Sequence, residues 1–209
     1  MELTDAAGRV LGCLVEKQLT TPQLYPLTDN ALIAACNQTT NRDPVVAYDV
    51  ATVRMAVRTL REKSLLRTVH RTGERSDKHQ HLLDTALTLS LEQVALLAAL
   101  LLRGPQTLAE LRAHTERMQA FESLDQVEDA LTGLANRDDA LVRRLERQPG
   151  RKEARYGQLL VEAGPAQVER PSGAPTLAAL SDQIALLRVE VAEVRSHVEE
   201  LRQQRPDGS

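Results

Sequence analysis

An internal repeat constrains this chain most. Val53, Ala56, Val57 and Leu60 lie in the stretch V-R-M-A-V-R-T-L, and Val127, Ala130, Leu131 and Leu134 lie in V-E-D-A-L-T-G-L. The offset is constant: 127 − 53 = 74 and 134 − 60 = 74. Each stretch carries apolar residues at the spacing that aligns them on one helix face. Each follows two shorter helical patterns and precedes two short strands around a turn. Helix, helix, helix, hairpin is the order of a winged-helix domain. A repeat this long means two domains rather than a solenoid.

The expected fold is mainly α with small β-hairpin wings. Two tandem winged-helix domains, residues 1–88 and 89–162, are followed by a Pro/Gly linker at 163–176 and a coiled-coil helix at 177–204. In the first domain a helix from Asp5 to about Gln18 ends before Pro22, Thr28 or Asp29 caps a second, and Asp49 caps a third beginning at Val50. Strands are expected over Leu65–Arg71 and Lys78–Leu83. In the second, Ser90 with Gln93, Thr107 with Glu110 and Ser123 with Gln126 have the spacing of capping boxes and open three helices. The stretch Tyr25 to Tyr48 has no counterpart in the second domain and reads as an insertion.

Beyond the linker, Leu177, Leu180, Ile184, Leu187, Val191, Val194, Val198 and Leu201 are spaced alternately by three and four residues. Four unbroken heptads of aliphatic residues predict a coiled coil, and β-branched a positions with mostly Leu at d favour a parallel homodimer. The chain itself is therefore one expected partner.

Composition narrows the rest. Aromatic residues are only Tyr25, Tyr48, Phe121 and Tyr156, which argues against a platform that stacks single-stranded bases. Cys13 and Cys36 sit far apart in sequence among apolar residues and read as reduced, packed thiols. The start Met1-Glu2-Leu3-Thr4-Asp5 lacks the basic segment of a signal peptide, and the longest apolar run, Val94 to Leu102, is too short to span a bilayer. A cytoplasmic protein with no membrane partner is expected. No phosphate loop, nucleophile elbow or metal signature is present, so no catalytic residue, cofactor or metal ligand is assigned. His79 and His81 share a strand face, and a symmetric hairpin would set His70 opposite His79, but no further ligand completes a metal site. These histidines are expected to face DNA or solvent.

Charge is uneven. The net charge is −3, yet residues 50–82 hold 8 basic and 3 acidic side chains. In a winged helix the third helix enters the major groove and the wing meets the backbone or the minor groove. With Val50, Val53, Ala56, Val57 and Leu60 inward, Thr52, Arg54, Arg58 and Arg61 point outward, and Arg67, Arg71, Arg75 and Lys78 lie on the wing. Arg suits phosphate or guanine, and Thr suits a base edge. The equivalent second helix exposes Asp125, Glu128 and Asp129, which would repel phosphate. Two readings follow. One is duplex DNA bound through the first domain. The other is a non-catalytic adaptor that meets another protein through the insertion, the acidic second domain and the coiled coil.

The insertion carries a specific polar motif. Glu16-Lys17-Gln18, Thr20-Thr21-Pro22, Tyr25-Pro26-Leu27, Asn30-Ala31-Leu32, Ala35-Cys36-Asn37-Gln38, Asn41-Arg42 and Pro44-Val45 resemble the YceH family of bacterial proteins. So do Leu101 to Thr107, Glu110-Leu111-Arg112, and Pro149-Gly150-Arg151 with Glu153, Arg155 and Tyr156. The resemblance implies two tandem winged helices. It supplies no catalytic residue, ligand or partner. Asn37, Gln38, Asn41 and Arg42 are expected to cap helices and satisfy loop backbone, with a recognition surface as the alternative.

Overall fold

A computed structural model of the chain describes residues 2–70, 76–146 and 153–161. Arg71, Arg75, the linker and the seam from Leu177 to Leu201 lie outside the described residues. The described residues belong to one compact unit, Met1–Gln167, and are mainly helical with small antiparallel sheets.

Helix α1 spans Asp5–Thr20, and the Thr4 side chain caps it by accepting from the Ala7 N–H at 3.2 Å. Pro22 ends it in a 3-10 turn, Pro22–Leu24. Strand β1, Leu27–Thr28, runs into α2, Asp29–Cys36, which Thr28 caps. Helix α3, Val50–Glu62, begins at the expected cap: Asp49 Oδ1 accepts from the Thr52 N–H at 2.8 Å. Its buried stripe is Val53, Ala56, Val57 and Leu60, whereas Val50, expected inward, is 46% exposed because it stands on the first turn, ahead of the packed face. Strands β2, Leu66–Val69, and β3, Lys78–His81, form the hairpin, and β1 joins them in the order β1-β3-β2.

The second strand stops sooner than its sequence suggests. Leu83 starts a short helix, α4, Leu83–Leu87, instead of extending the strand. The Leu83 N–H is taken by His81 Nδ1 at 3.2 Å, and the Leu83 side chain is wholly buried. Both turn the chain away from the sheet.

The second half repeats the order as α5, Leu91–Arg103, α6, Leu108–Thr115, α7, Leu124–Ala135, then β4, Val142–Leu145, and β5, Arg155–Gln158. Ser90 with Gln93 and Thr107 with Glu110 form reciprocal capping boxes. Ser123 caps α7, but the Gln126 side chain accepts from the Glu122 N–H at 2.9 Å rather than closing the expected box. Gln106 takes the place that β1 has in the first half. It exchanges backbone hydrogen bonds with Tyr156 at 3.0 and 2.7 Å.

The expected boundary at residues 88 and 89 falls in the connection to α5, and one hydrophobic core runs across it. Helices α1 and α5 pack together, and Gly8 and Gly12 make that approach possible. A Cβ on Gly8 would collide with Val161 Cγ2, and one on Gly12 would stand 3.0 Å from Leu102 Cγ. The chain end reinforces the join: the Leu3 N–H donates to the Leu160 carbonyl at 2.8 Å.

Candidate nucleic-acid interface

Packing decides which groups α3 presents. Once its apolar stripe is buried, Arg54, Arg58 and Arg61 are exposed and Thr52 is half-buried. Met55, between the first two arginines, is 62% exposed. Arg54 Nε donates to Asp29 Oδ2 at 2.9 Å, and Arg58 Nε donates to Glu62 Oε1, one turn on, at 2.9 Å. Both pairs are exposed, so each contributes between nothing and about 1 kcal/mol and yields readily to another anion. Arg61 makes no ion pair among the described residues and lies in the last turn of α3, where the helix dipole favours a cation.

Asp29 ties this helix to the wing. Its other oxygen accepts from His79 Nε2 at 2.7 Å, and His79 Nδ1 lies 3.2 Å from the Thr68 hydroxyl. With the proton on Nε2, Nδ1 accepts from Thr68. A chain of polar contacts therefore runs from α3 through α2 to β3 and β2. Burial disfavours the Asp29 carboxylate, but hydrogen bonds from His79 and Arg54 hold its pKa below the usual carboxylate range.

The histidines correct the sequence expectation. The register pairs Thr68 with His79 and Leu66 with His81, so His70 is not opposite His79. His70 instead reaches Asp77 at 2.7 Å. His79 and His81 are 4% and 5% exposed, so neither presents its ring to solvent or to DNA. The sheet turns this face onto the core, because it is the face that carries Leu66 and Thr68. Burial pushes the His81 imidazole pKa down, against a smaller opposite pull from Asp84.

Arg67 is on the outer face, paired in register with Gln80, whose amide oxygen can accept from its guanidinium at 3.0 and 3.1 Å. Lys78 begins the returning strand. Arg54, Arg58, Arg61, Arg67 and Lys78 therefore occupy α3 and the adjoining hairpin, the two elements expected to carry them.

The equivalent surface of the second half has the opposite sign. Asp125, Glu128 and Asp129 are exposed on α7, and that helix contains no basic residue. The Tyr156 hydroxyl donates to Glu128 Oε1 at 3.3 Å. Arg143 and Arg144 are exposed on β4.

The polar motif of the insertion is bonded within the protein, around one buried arginine. Arg42 is 3% exposed. Its guanidinium donates to Glu16 Oε1 and Oε2 at 3.0 and 2.6 Å, to the carbonyls of Ala35 and Asn41 at 3.1 and 2.8 Å, and to Gln38 Oε1 at 2.9 Å. Asn37 exchanges two hydrogen bonds with the Tyr48 backbone, both 2.8 Å. Three contacts carry the insertion onto α1 and α5. Arg9 Nη2 donates to the Pro44 carbonyl at 2.6 Å, the Asp43 N–H donates to the Leu102 carbonyl at 2.9 Å, and Arg103 donates to Asn41 Oδ1. The sequence suggested that these residues satisfy loop backbone. It did not reveal that they join the two halves. The residue pair Gly8 and Gly12, four apart on α1, is the signal that could have pointed to that joint.

Cys13 and Cys36 are buried and not in a disulfide, and Cys13 Sγ donates to the Ala35 carbonyl at 3.4 Å. No helix among the described residues is long and apolar enough to cross a membrane.

Comparison with known proteins adds the family. The model of a family described as "Protein of unknown function, DUF480" matches residues 3–151. A UPF0502 protein of Koribacter versatilis is 51% identical over 159 residues, covering 76% of this chain and 74% of that protein. A UPF0502 protein of Geobacter metallireducens is 48% identical over 194 residues, covering 90% and 88%. One of Pelobacter propionicus is 44% identical over 216 residues, covering 98% of each chain.

Proposed function

The chain belongs to this family of unknown function, DUF480, and we propose that it is a tandem winged-helix protein that binds duplex DNA through its first half. One observation carries the reading. The outward face of α3 bears Arg54, Arg58 and Arg61, whereas the equivalent face of α7 bears Asp125, Glu128 and Asp129. A third helix that docks in a major groove needs cations where it meets phosphates. The first half supplies them and the second does not.

The ion pairs on α3 do not stand against this reading. Arg54–Asp29 and Arg58–Glu62 are exposed pairs, and phosphates can replace the carboxylates at little cost. Thr52 and Arg58 would read base edges, and Arg67 and Lys78, with Arg71 and Arg75, would hold the backbone. The half-buried Asp29–His79–Thr68 chain supports it too, because it ties the hairpin to α2, which packs on α3. No catalytic step enters the reading, and it implies a cytoplasmic protein.

A second reading is favoured by one observation of its own. The acidic face of α7 begins with Leu124, which is 40% exposed, and such a face suits a basic protein partner. The reading is of a non-catalytic adaptor. The insertion motif contributes little to it, since the donors of Arg42 are used internally.

Titration of a labelled duplex tests the DNA reading. Arg67→Ala should weaken all sequences alike and lower the slope of log affinity against log salt by about one unit. No binding at low salt would contradict it. The parallel homodimer through the Leu177–Leu201 seam is a separate part of the proposal. Light scattering should find the full chain dimeric and Ile184→Asp monomeric, since the new charge would be buried in the seam without a partner. A monomeric wild type would remove the coiled coil.

A further inference from the structure

A cleft of about 270 Å³ opens between the insertion and the second half. Three cations line it: Lys17 from the last turn of α1, Arg103 from the end of α5, and Arg117, just beyond α6. No residue of α3, β2 or β3 lines it. Among its described lining residues the one carboxylate is Glu16, and Glu16 is already engaged. Both its oxygens accept from the buried Arg42, and one lies 3.6 Å from Lys17 Nζ. The wall therefore keeps an excess of positive charge. Burial and the nearby charge of Arg42 push the Arg103 guanidinium pKa down, against smaller pulls from Glu16 and Asp43. An anion beside Arg103 would offset the repulsion from Arg42.

Two amides add directed donors. Gln38 Oε1 accepts from Arg42 at 2.9 Å and from Lys17 at 3.4 Å, and Asn41 Oδ1 accepts from Arg103. These contacts fix which end of each amide is the oxygen. Among the described residues neither amide NH2 group has an acceptor, and both residues line the cleft. His114 is also on the wall. Partial burial and the Arg103 charge push its imidazole pKa down, against a smaller pull from Glu110, and its Nδ1 lies 2.5 Å from Gln106 Oε1.

We propose that this cleft binds a small phosphate-bearing anion, a diphosphate or a phosphomonoester, between the two halves. Residues with donor groups line it from α1, from the insertion, from the end of α5 and from just beyond α6. A tetrahedral oxyanion offers oxygens in all those directions, and guanidinium groups match phosphate geometry. The site is separate from α3, so it stands or falls independently of the DNA reading. A bound anion would add a bridge beside the α1–α5 joint and stabilise the folded chain by mass action.

Isothermal titration of the full-length protein with sodium pyrophosphate, against sodium chloride of matched ionic strength, tests this. The wild type should bind at one saturable site per chain. Arg117→Gln, a change at an exposed side chain, should weaken binding about tenfold or more. Arg103→Gln should weaken it at least as much, with the thermal melt checked for an intact fold. Lys63→Gln, which removes a charge elsewhere, should match the wild type. No saturable binding, or unchanged affinity in Arg117→Gln and Arg103→Gln, would overturn the proposal. So would displacement of pyrophosphate by a DNA duplex that itself loses affinity in Arg117→Gln, because the cleft would then hold a backbone phosphate.

Discussion

The two halves repeat one order of helices and strands but differ in what lies between the first helix and the third. The second half passes from α5 to α6 through Gly104-Pro105-Gln106, and Gln106 alone bridges to the returning strand. The first half uses the long insertion, a two-residue strand and a loop organised around Arg42. They differ again on the third helix, basic in α3 and acidic in α7. A shared framework thus carries two different surfaces. Similar burial stripes set the fold, and the residues between them remain free to diverge.

The comparison teaches where each half keeps its polar groups. Both halves use side chains to cap helix ends, as at Asp49 and in the Thr107–Glu110 box. The first adds a network that touches Glu16, Ala35, Gln38 and Asn41 through one buried guanidinium. Removing that guanidinium should produce the largest effect. Arg42→Ala leaves the Glu16 carboxylate without its buried partner and should cost about 3–5 kcal/mol in urea unfolding. A loss below about 1 kcal/mol would mean that the insertion is a decorated loop rather than a joint.

The α1–α5 contact gives a smaller test of the same comparison. Gly8→Ala puts a methyl group against Val161 and Leu101 and should cost about 1–3 kcal/mol. The branched side chain of Val161 has little freedom to move aside. If Gly8→Ala were instead stabilising, as expected for an open helix position, the halves would not be packed as closely as described.

Much of the fold was legible because it is written in periodicity. The stripe Val53, Ala56, Val57 and Leu60, its counterpart Val127, Leu131 and Leu134, and the caps Asp49, Ser90 and Thr107 all follow from local rules. What escaped depends on distant partners. His79 looked like an outward strand residue until Asp29 and Thr68 closed around it. Helix α4 was hidden because Leu83 fits a strand equally well. The joint between the halves rests on Gly8 and Gly12, whose role is the absence of a side chain. Of the candidate site, the outward arginines were legible from the stripe they flank, but their pairing with Asp29 and Glu62 was not.

The central claim is that the first half meets DNA and the second does not. Matched titrations of one labelled duplex with wild type, Arg58→Ala and Glu128→Ala test it most directly. Arg58→Ala should lose about 1–3 kcal/mol and alter sequence preference, because its guanidinium would face a base. Glu128→Ala should bind as well as the wild type or slightly better, because a carboxylate that repels phosphate is gone. Equal losses in the two variants, or a loss confined to Glu128→Ala, would contradict the account and leave α7 as the working face.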